Sequence, residues 1–290
     1  MVAALSLHIM GPHLMRLDGK ALALSVSGPS LSILRYGLIY PTQPMRRDML
    51  MELLWEGLDP DRRRHALNSA VWRLQKALQD IEGIDLLTDK DSLRFMLAPG
   101  LRTDIQALSA AVETAEISPQ SLEQLGQLQC QLDDTQPTLF GGDIEDWALS
   151  ERERVMGLRI RGQILLMQGL GEQKRYEEAL RYGRAILDED PYRETVHCEL
   201  MWLYVLNGQR AKAIRHFLSY RDLLGLELGI EPMAETCALF DHIRSGLNGA
   251  VTPTLCADFS VSSFHGVLHS IEQSRHDIYR ALCAHTRQPA

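Results

Sequence analysis

The chain is 290 residues long, with 45% hydrophobic and 23% charged residues, the composition of a soluble globular protein with room for two cores. The net charge of −8 excludes a uniformly basic nucleic-acid binder, but the charge is unevenly placed: residues 1–100 hold 12 Lys/Arg against 11 Asp/Glu, and residues 101–290 hold 18 against 27. No run approaches the ~20 apolar residues of a membrane helix, the first residues lack the basic start and long apolar run of a signal peptide, and five cysteines, odd in number and far apart, fit a reducing cytoplasm and not a disulfide framework.

Residues 5–27 read as short strands. Leu5, Leu7 and Ile9 alternate with polar or small residues, Asp18-Gly19 is a turn signal, and Leu22, Leu24 and Val26 alternate again. A helix is predicted over 30–40, stopping before Pro41. A second is predicted over 46–55, with Met49, Leu50, Leu53 and Leu54 as its apolar face. Residues 56–60 hold Gly57 and Pro60 and read as a loop.

The next segment, DRRRHALNSAVWRLQKALQD (61–80), reads as one helix with two unlike faces. At about 100° per residue, Leu67, Val71, Leu74 and Leu78 form a narrow apolar stripe. The opposite side carries Arg62, His65, Ser69, Trp72, Arg73 and Lys76, with Asn68 at its edge. From Arg62 to Gln79 there are five Lys/Arg and no acid. Such a helix, docked on one side and cationic on the other, suits the DNA major groove; by itself it is equally readable as a solvated surface helix. Trp72 is the odd member, because a large aromatic on the solvent side usually has something to touch. Residues 85–88 and 93–97 then flank Asp89-Lys90-Asp91 as a hairpin. Strands, three helices and a closing hairpin within about 100 residues describe a winged helix, whose third helix enters the groove while the hairpin touches the backbone nearby.

After Pro99-Gly100 the pattern becomes continuous amphipathic helix. Helices are predicted over 104–116, 121–132, 144–168, 174–188, 191–206, 209–224 and 233–247, with punctuation at Gly169, Gly171, Gly208, Gly229 and Pro232. Tyr176-x-x-Ala179-Leu180 and Arg210-x-x-Ala213-Ile214 are offset by 34 residues, as are Leu166 and Leu200, and Leu170 and Tyr204. That is the period of tetratricopeptide helix pairs, which would stack into a short solenoid with a concave binding face; an unrelated helical bundle is the alternative. The expected fold is therefore an α+β N-terminal winged helix (1–100) followed by an all-α tetratricopeptide-like helical repeat domain (101–247). Residues 248–290 read as a linker and a C-terminal helix over 264–284, with Phe264, Val267, Leu268 and Ile271 on one side, suited to a capping or interface role. His265, His269, His276, Cys283 and His285 in this tail lack zinc-finger spacing, and neither a metal nor another cofactor is assigned.

The combination resembles bacterial transcriptional activators of the Streptomyces antibiotic regulatory protein type, which have an OmpR-like winged helix followed by a bacterial transcriptional activator domain. The matching stretches are RDMLMELLW (47–55), VWRLQKAL (71–78), DWALSERERV (146–155), YEEALRYGRAILDEDPYRETVHCELMWLYVLNGQRAKAIRHF (176–217) and LELGIEPMAET (226–236). The resemblance spans roughly residues 5–247. Gln75 stands where the family usually has Arg, and Phe95 lies where a Tyr is usual. The lost cation would weaken phosphate contact.

On this reading the chain binds and does no chemistry. Arg62, Arg64 and Lys76 would contact phosphate, while His65, Asn68, Ser69, Trp72 and Arg73 would face the groove and read bases. Lys90 and Arg94 would be wing contacts. The resemblance further implies a polymerase-contact loop at 56–61, with acids Glu56, Asp59 and Asp61. It also implies binding of double-stranded promoter DNA at repeats as a homodimer, recruitment of RNA polymerase, and a helical domain that supplies dimer contacts or senses a protein or small-molecule effector. The chain has no G-x-x-x-x-G-K-[ST], G-x-S-x-G or H-E-x-x-H motif, so an enzyme is not expected. Nor is control through a phosphoreceiver domain expected, because the chain starts in the winged helix. The competing expectation is a helical-repeat adaptor whose winged helix binds protein.

Overall fold

The computed structural model describes residues 5–41, 43–117, 121–135, 138–142 and 146–245. The chain falls into one unit at residues 1–240 and another at 241–290. The expected linker, C-terminal helix and histidine-rich tail lie outside the described residues.

Strands β1 (Leu5–Leu7), β2 (Met15–Leu17) and β3 (Lys20–Ala21) form an antiparallel meander, with Leu5 opposite Leu17 and Arg16 opposite Ala21. The Asp18-Gly19 signal sits at the β2–β3 turn, both residues at positive φ (50° and 77°), as tight hairpin turns require. The alternation at Leu22, Leu24 and Val26 does not continue the strand: β3 ends at Ala21, and these three side chains remain only half-buried. Alternation sets which face is apolar, but a strand also needs a paired neighbour.

Helix α1 (Pro29–Ile39) starts with Pro at its first turn and buries Ile33, Leu34 and Leu38 completely. The short strand β4 (Met45–Arg46) leads into α2 (Arg47–Leu54), where Leu50 is buried but Leu53, expected on the apolar face, is 38% exposed. Helix α3 (Pro60–Leu78) buries the expected Leu67, Val71, Leu74 and Leu78, with Ala70 added to the stripe. The hairpin β5 (Ile84–Thr88) and β6 (Ser92–Leu97) pairs Leu86 with Phe95 and Leu87 with Arg94, and β4 joins the other edge of β6. Ile84, Leu93 and Phe95 face the core while Leu87, Arg94 and Met96 face out. This is a winged helix.

Two joints fasten it to the helices that follow. Thr103 and Gln106 cap α4 (Asp104–Ile117) reciprocally, Gln106 N donating to Thr103 Oγ1 (3.3 Å) and Thr103 N to Gln106 Oε1 (3.1 Å). The Asp104 carboxylate, buried, accepts from the backbone N–H of Ile9 (2.8 Å), Met10 (2.9 Å) and Ile105 (2.9 Å). Burial pushes its pKa up, and the three donors hold it back. The second joint is aromatic. Trp147 lies 5.4 Å from Tyr36 and 6.1 Å from Phe140 between ring centroids, the Arg35 guanidinium lies 4.8 Å from the centre of the Phe140 ring, and Tyr40 donates to Glu151.

Helices α4, α5 (Leu122–Asp134) and α6 (Leu149–Glu172) pack together, followed by α7 (Tyr176–Glu189), α8 (Glu194–Leu206), α9 (Arg210–Glu227) and α10 (Ala234–Ser245). All seven expected helices are present. The third differs at both ends: a 3-10 turn at Asp146–Ala148 precedes its start at Leu149, and it runs through Gly169 to Glu172. Gly169 is buried inside the helix and Gly171 lies where a Cβ would meet Leu203 Cδ2 at 3.1 Å, so Gly171 permits close packing and neither glycine interrupts the helix.

The 34-residue period holds in atomic detail. Gln173 N donates to Gly169 O as Asn207 N does to Leu203 O. Lys174 N donates to Gly171 O as Gly208 N does to Val205 O, and Arg175 N donates to Leu170 O as Gln209 N does to Tyr204 O. Ala179 and Ala213, and Leu166 and Leu200, are fully buried pairs at the same offset. The helical part is tetratricopeptide-like. In it, His197 on α8 and His216 on α9 share a hydrogen bond between Nδ1 and Nε2 (3.0 Å), while His197 Nε2 meets Pro191 O (2.9 Å) and its ring stacks 3.8 Å from Tyr220. Burial pulls both imidazoles below their usual pKa, His216 to about 4.

Candidate nucleic-acid interface

Helix α3 is started by its own sequence. The Asp59 carboxylate accepts from Arg62 N (3.0 Å) as N-cap, and Pro60 occupies the first helical position, where its missing N–H costs nothing. With the apolar stripe docked, Arg62, Arg64, His65, Asn68, Ser69, Trp72, Arg73 and Lys76 are all exposed. Every candidate placed on this helix is therefore brought to one accessible surface.

The surface is ordered by contacts among its own members. Trp72 is 60% exposed and Lys76 Nζ lies 5.2 Å from the centre of its ring, a cation–π arrangement that presents both outward. His65, Ser69 and Arg73 share one wall of a shallow groove of about 320 Å³, opposite Trp55 and the start of α1. Ser30 Oγ donates to Ala70 O (3.0 Å), fixing α1 against α3. Gln75 Nε2 donates to Leu86 O (3.3 Å). The residue read as a lost phosphate contact is thus a link between α3 and the wing.

The cations are not equivalent. Arg62 pairs with Asp59 (3.1 Å) and Arg64 with Asp61 (3.7 Å), so two acids expected in the polymerase-contact loop lie against two expected phosphate contacts. These pairs are exposed and weak. Arg63 turns away: its Nε donates to Leu58 O (2.6 Å) and its Nη2 to Glu56 O, pinning the loop before the helix. Of the loop's acids, Glu56 is the one with no ion pair among the described residues.

At the wing, the Asp89 carboxylate accepts from Asp91 N (2.8 Å), Ser92 N (2.6 Å) and Ser92 Oγ (2.8 Å). These donors, the Asp91 N–H first, hold its pKa below the usual carboxylate value. The turn so fixed leaves Lys90 exposed at the tip and Arg94 exposed on the outward face of β6. Arg47 N donates to Asp91 O (2.9 Å), and Arg47 Nη2 donates to Asn68 Oδ1. Sequence reasoning missed Arg47. Its adjacency to Arg46, just before the second helix, is the one local signal the sequence holds.

The arrangement offers hydrogen-bond donors and positive charge over a single helix face and an adjoining hairpin, which fits a polyanion with readable edges. Among the described residues no group of three His, Cys, Asp or Glu side chains could hold a metal ion, and no helix is long and apolar enough to cross a membrane.

Comparison with known proteins follows the same division. Residues 103–244 match the family described as the bacterial transcriptional activator domain. The transcriptional regulatory protein MoaR1 of Mycobacterium bovis is 24% identical over 256 residues, covering 83% of this chain and 79% of that protein. The protein of the same description from Mycobacterium tuberculosis is 24% identical over 264 residues, with the same shares. Among solved structures, Mycobacterium tuberculosis EmbR, determined in complex with a low affinity phosphopeptide, matches with a TM-score of 0.72 at 20% identity, covering 92% of this chain and 71% of that one. At that identity the shared property is the fold.

Proposed function

We propose that this chain, whose residues 103–244 match the bacterial transcriptional activator domain, is a transcriptional regulator of the Streptomyces antibiotic regulatory protein type that activates transcription by binding promoter repeats and recruiting RNA polymerase. The winged helix, residues 1–100, is the DNA-binding part. Arg62, Arg64 and Lys76 contact phosphate, His65, Asn68, Ser69, Trp72 and Arg73 face the bases, and Lys90 and Arg94 hold the backbone beside the wing. The loop with Glu56, Asp59 and Asp61 meets the polymerase. The helical domain, residues 101–247, provides dimer contacts or takes a protein or small-molecule effector, and the protein works in the cytoplasm.

The observation that carries this reading is the division of α3: a buried stripe from Leu67 to Leu78 and, opposite it, eight exposed polar, cationic or aromatic side chains with no acid after Asp61. The test is binding to a genomic fragment library, with enriched fragments sequenced and the best site titrated across salt. A repeat-containing promoter fragment should be enriched, with a steep salt slope. Arg73→Ala should reduce that slope by about 1.

The ion pairs Arg62–Asp59 and Arg64–Asp61 favour a second reading, a helical-repeat adaptor whose winged helix binds protein, because they partly neutralise the face that DNA would need. On that reading no fragment is enriched even at low salt, and charge reversal at Arg73 leaves promoter activation intact.

A further inference from the structure

We propose that the open edge of β6 takes an extended acidic peptide of a partner protein as an added strand. In an antiparallel ladder, successive residues point their N–H and C=O groups to opposite sides. Toward β5, Asp89 N donates to Ser92 O (3.0 Å) and Ala98 N to Gly83 O (2.8 Å), so Arg94 and Met96, which lie between them in the same phase, also bond to β5. Toward the other side, Arg47 N donates to Asp91 O (2.9 Å) and Met45 stands opposite Leu93. The backbone groups of Phe95 and Leu97 follow that second phase and point away from β5. Strand β4 does not reach them. It begins at Met45, and the chain before it turns back to α1, where Gln43 N donates to Tyr40 O (3.0 Å). No strand among the described residues pairs with this edge of β6 beyond Leu93.

The edge opens on a groove of about 510 Å³ whose lining includes four consecutive residues of β6, Arg94 to Leu97, and none of β5. A groove across the face of a strand meets alternate residues, so this one runs along the edge. Leu101 and Arg102, from the turn into α4, line it as well, and Met96 is 47% exposed. An open edge recruits a strand through main-chain hydrogen bonds, and the side chains around it select which strand. Here they are two exposed cations, Arg94 and Arg102, with apolar surface between and no acid in the lining. The occupant that fits is an extended segment carrying Asp or Glu beside apolar residues. A second copy pairing through the same edge would bring these cations against their like, which is unfavourable. DNA has no peptide groups to complete a ladder. Arg94 also serves the wing, so the variants below leave it unchanged.

The test is selection from a randomised library of linear peptides on the full chain, with Arg102→Glu as the counter-selection. Sequences rich in Asp and Glu should be enriched, and the best of them should bind Arg102→Glu about tenfold more weakly. Hydrogen exchange of the complex gives the signature that belongs to strand addition alone. The amides of Phe95 and Leu97 should slow by about tenfold or more, while those of Arg94 and Met96, already bonded to β5, should not change. Leu97→Pro removes one of the two edge donors and spares the β5 ladder, and it should abolish binding. Thermal unfolding shows whether that variant is folded. Should it unfold, the selected peptide methylated at alternate backbone nitrogens carries the test, because in one of its two registers every ladder donor is blocked, and that form should not bind the unchanged chain. The inference is overturned if no acidic sequence is enriched, if Arg102→Glu binds the selected peptide equally well, or if the peptide binds without slowing Phe95 and Leu97.

Discussion

Lys174 and Gly208 occupy the same point of two successive helix-pair loops, 34 residues apart, and both have left-handed backbone, with φ of 62° and 72°. Each donates its N–H three residues back, Lys174 to Gly171 O (3.0 Å) and Gly208 to Val205 O (2.9 Å). The repeat thus preserves a conformation while exchanging the residue that adopts it easily for one that does not. A left-handed L-residue costs about 1–2 kcal/mol, whereas glycine adopts that backbone freely.

Lys174→Gly should therefore stabilise the helical domain. Part of the relieved strain is offset by the greater freedom of glycine in the unfolded chain, leaving a net gain of about 0.5 kcal/mol. Gly208→Ala should lose about 1 kcal/mol; nothing lies within 4 Å of its added Cβ, so the cost is backbone strain alone. Urea unfolding of the two variants should show shifts of opposite sign, and equal shifts would remove the structural equivalence.

Asp104 joins the winged helix to the helices through the N–H groups of Ile9 and Met10. Asp104→Ala strands three buried donors, the N–H of Ile105 being the third, and should cost about 3–6 kcal/mol. Asp104→Asn retains one acceptor and should cost less. Hydrogen exchange at the amides of Ile9 and Met10 reports the joint directly, and should accelerate in the alanine variant before global unfolding does.

The buried histidine pair predicts acid sensitivity. Burial lowers both imidazoles, His216 to about 4 from 6.5, with further lowering of His216 by His197 and Arg184 and an opposing pull on His197 from Pro191 O and Glu194. Between these limits the unfolded chain binds the protons that the folded one excludes. Stability from His216 is complete above about pH 6.5 and falls as pH drops toward about 4, at up to about 1.4 kcal/mol per pH unit, and His197, also lowered, contributes in the same direction. Protonating both rings also removes the acceptor from the Nδ1–Nε2 hydrogen bond. Asp104 and Glu199, whose pKa values burial raises, act in the opposite sense, so the informative quantity is a difference. His216→Gln should flatten the pH dependence of stability over this window relative to the unchanged chain; identical slopes would show that the pair does not titrate on unfolding.

Arg63 and Arg73 should separate two functions on one helix. Arg63 holds the carbonyls of Glu56 and Leu58, and Arg63→Ala should cost about 1 kcal/mol and loosen the loop. Its expected signature is lower promoter activation at unchanged DNA affinity. Arg73→Ala should do the reverse, weakening DNA binding and its salt dependence first. Measuring affinity and transcription in vitro for both variants decides whether loop and groove face act independently.

Much of this was legible in the chain. The stripe at Leu67, Val71, Leu74 and Leu78, the seven later helices and the 34-residue period all follow from apolar spacing, which is local and repeats every turn. The places where that reading slipped share a cause. Leu22, Leu24 and Val26 alternate as a strand does, yet the pairing stops at Leu22, whose N–H donates to Met15 O (3.0 Å), and Leu53 falls on the expected face of a helix too short to bury it. Gly171 looks like punctuation until the close approach of Leu203 on α8 gives glycine another reason to be there, and Gly169 lies buried within α6.

Which face of each helix turns inward was determined by the sequence itself, because periodicity is written in neighbouring residues. Which polar group meets which was decided only by the tertiary structure. Arg47 reaches Asn68 across 21 residues and Asp104 reaches Ile9 across 95, and neither pairing leaves a local pattern. A hydrogen bond depends on two side chains arriving within about 3 Å in the right orientation, and only the packed core brings such distant segments that close.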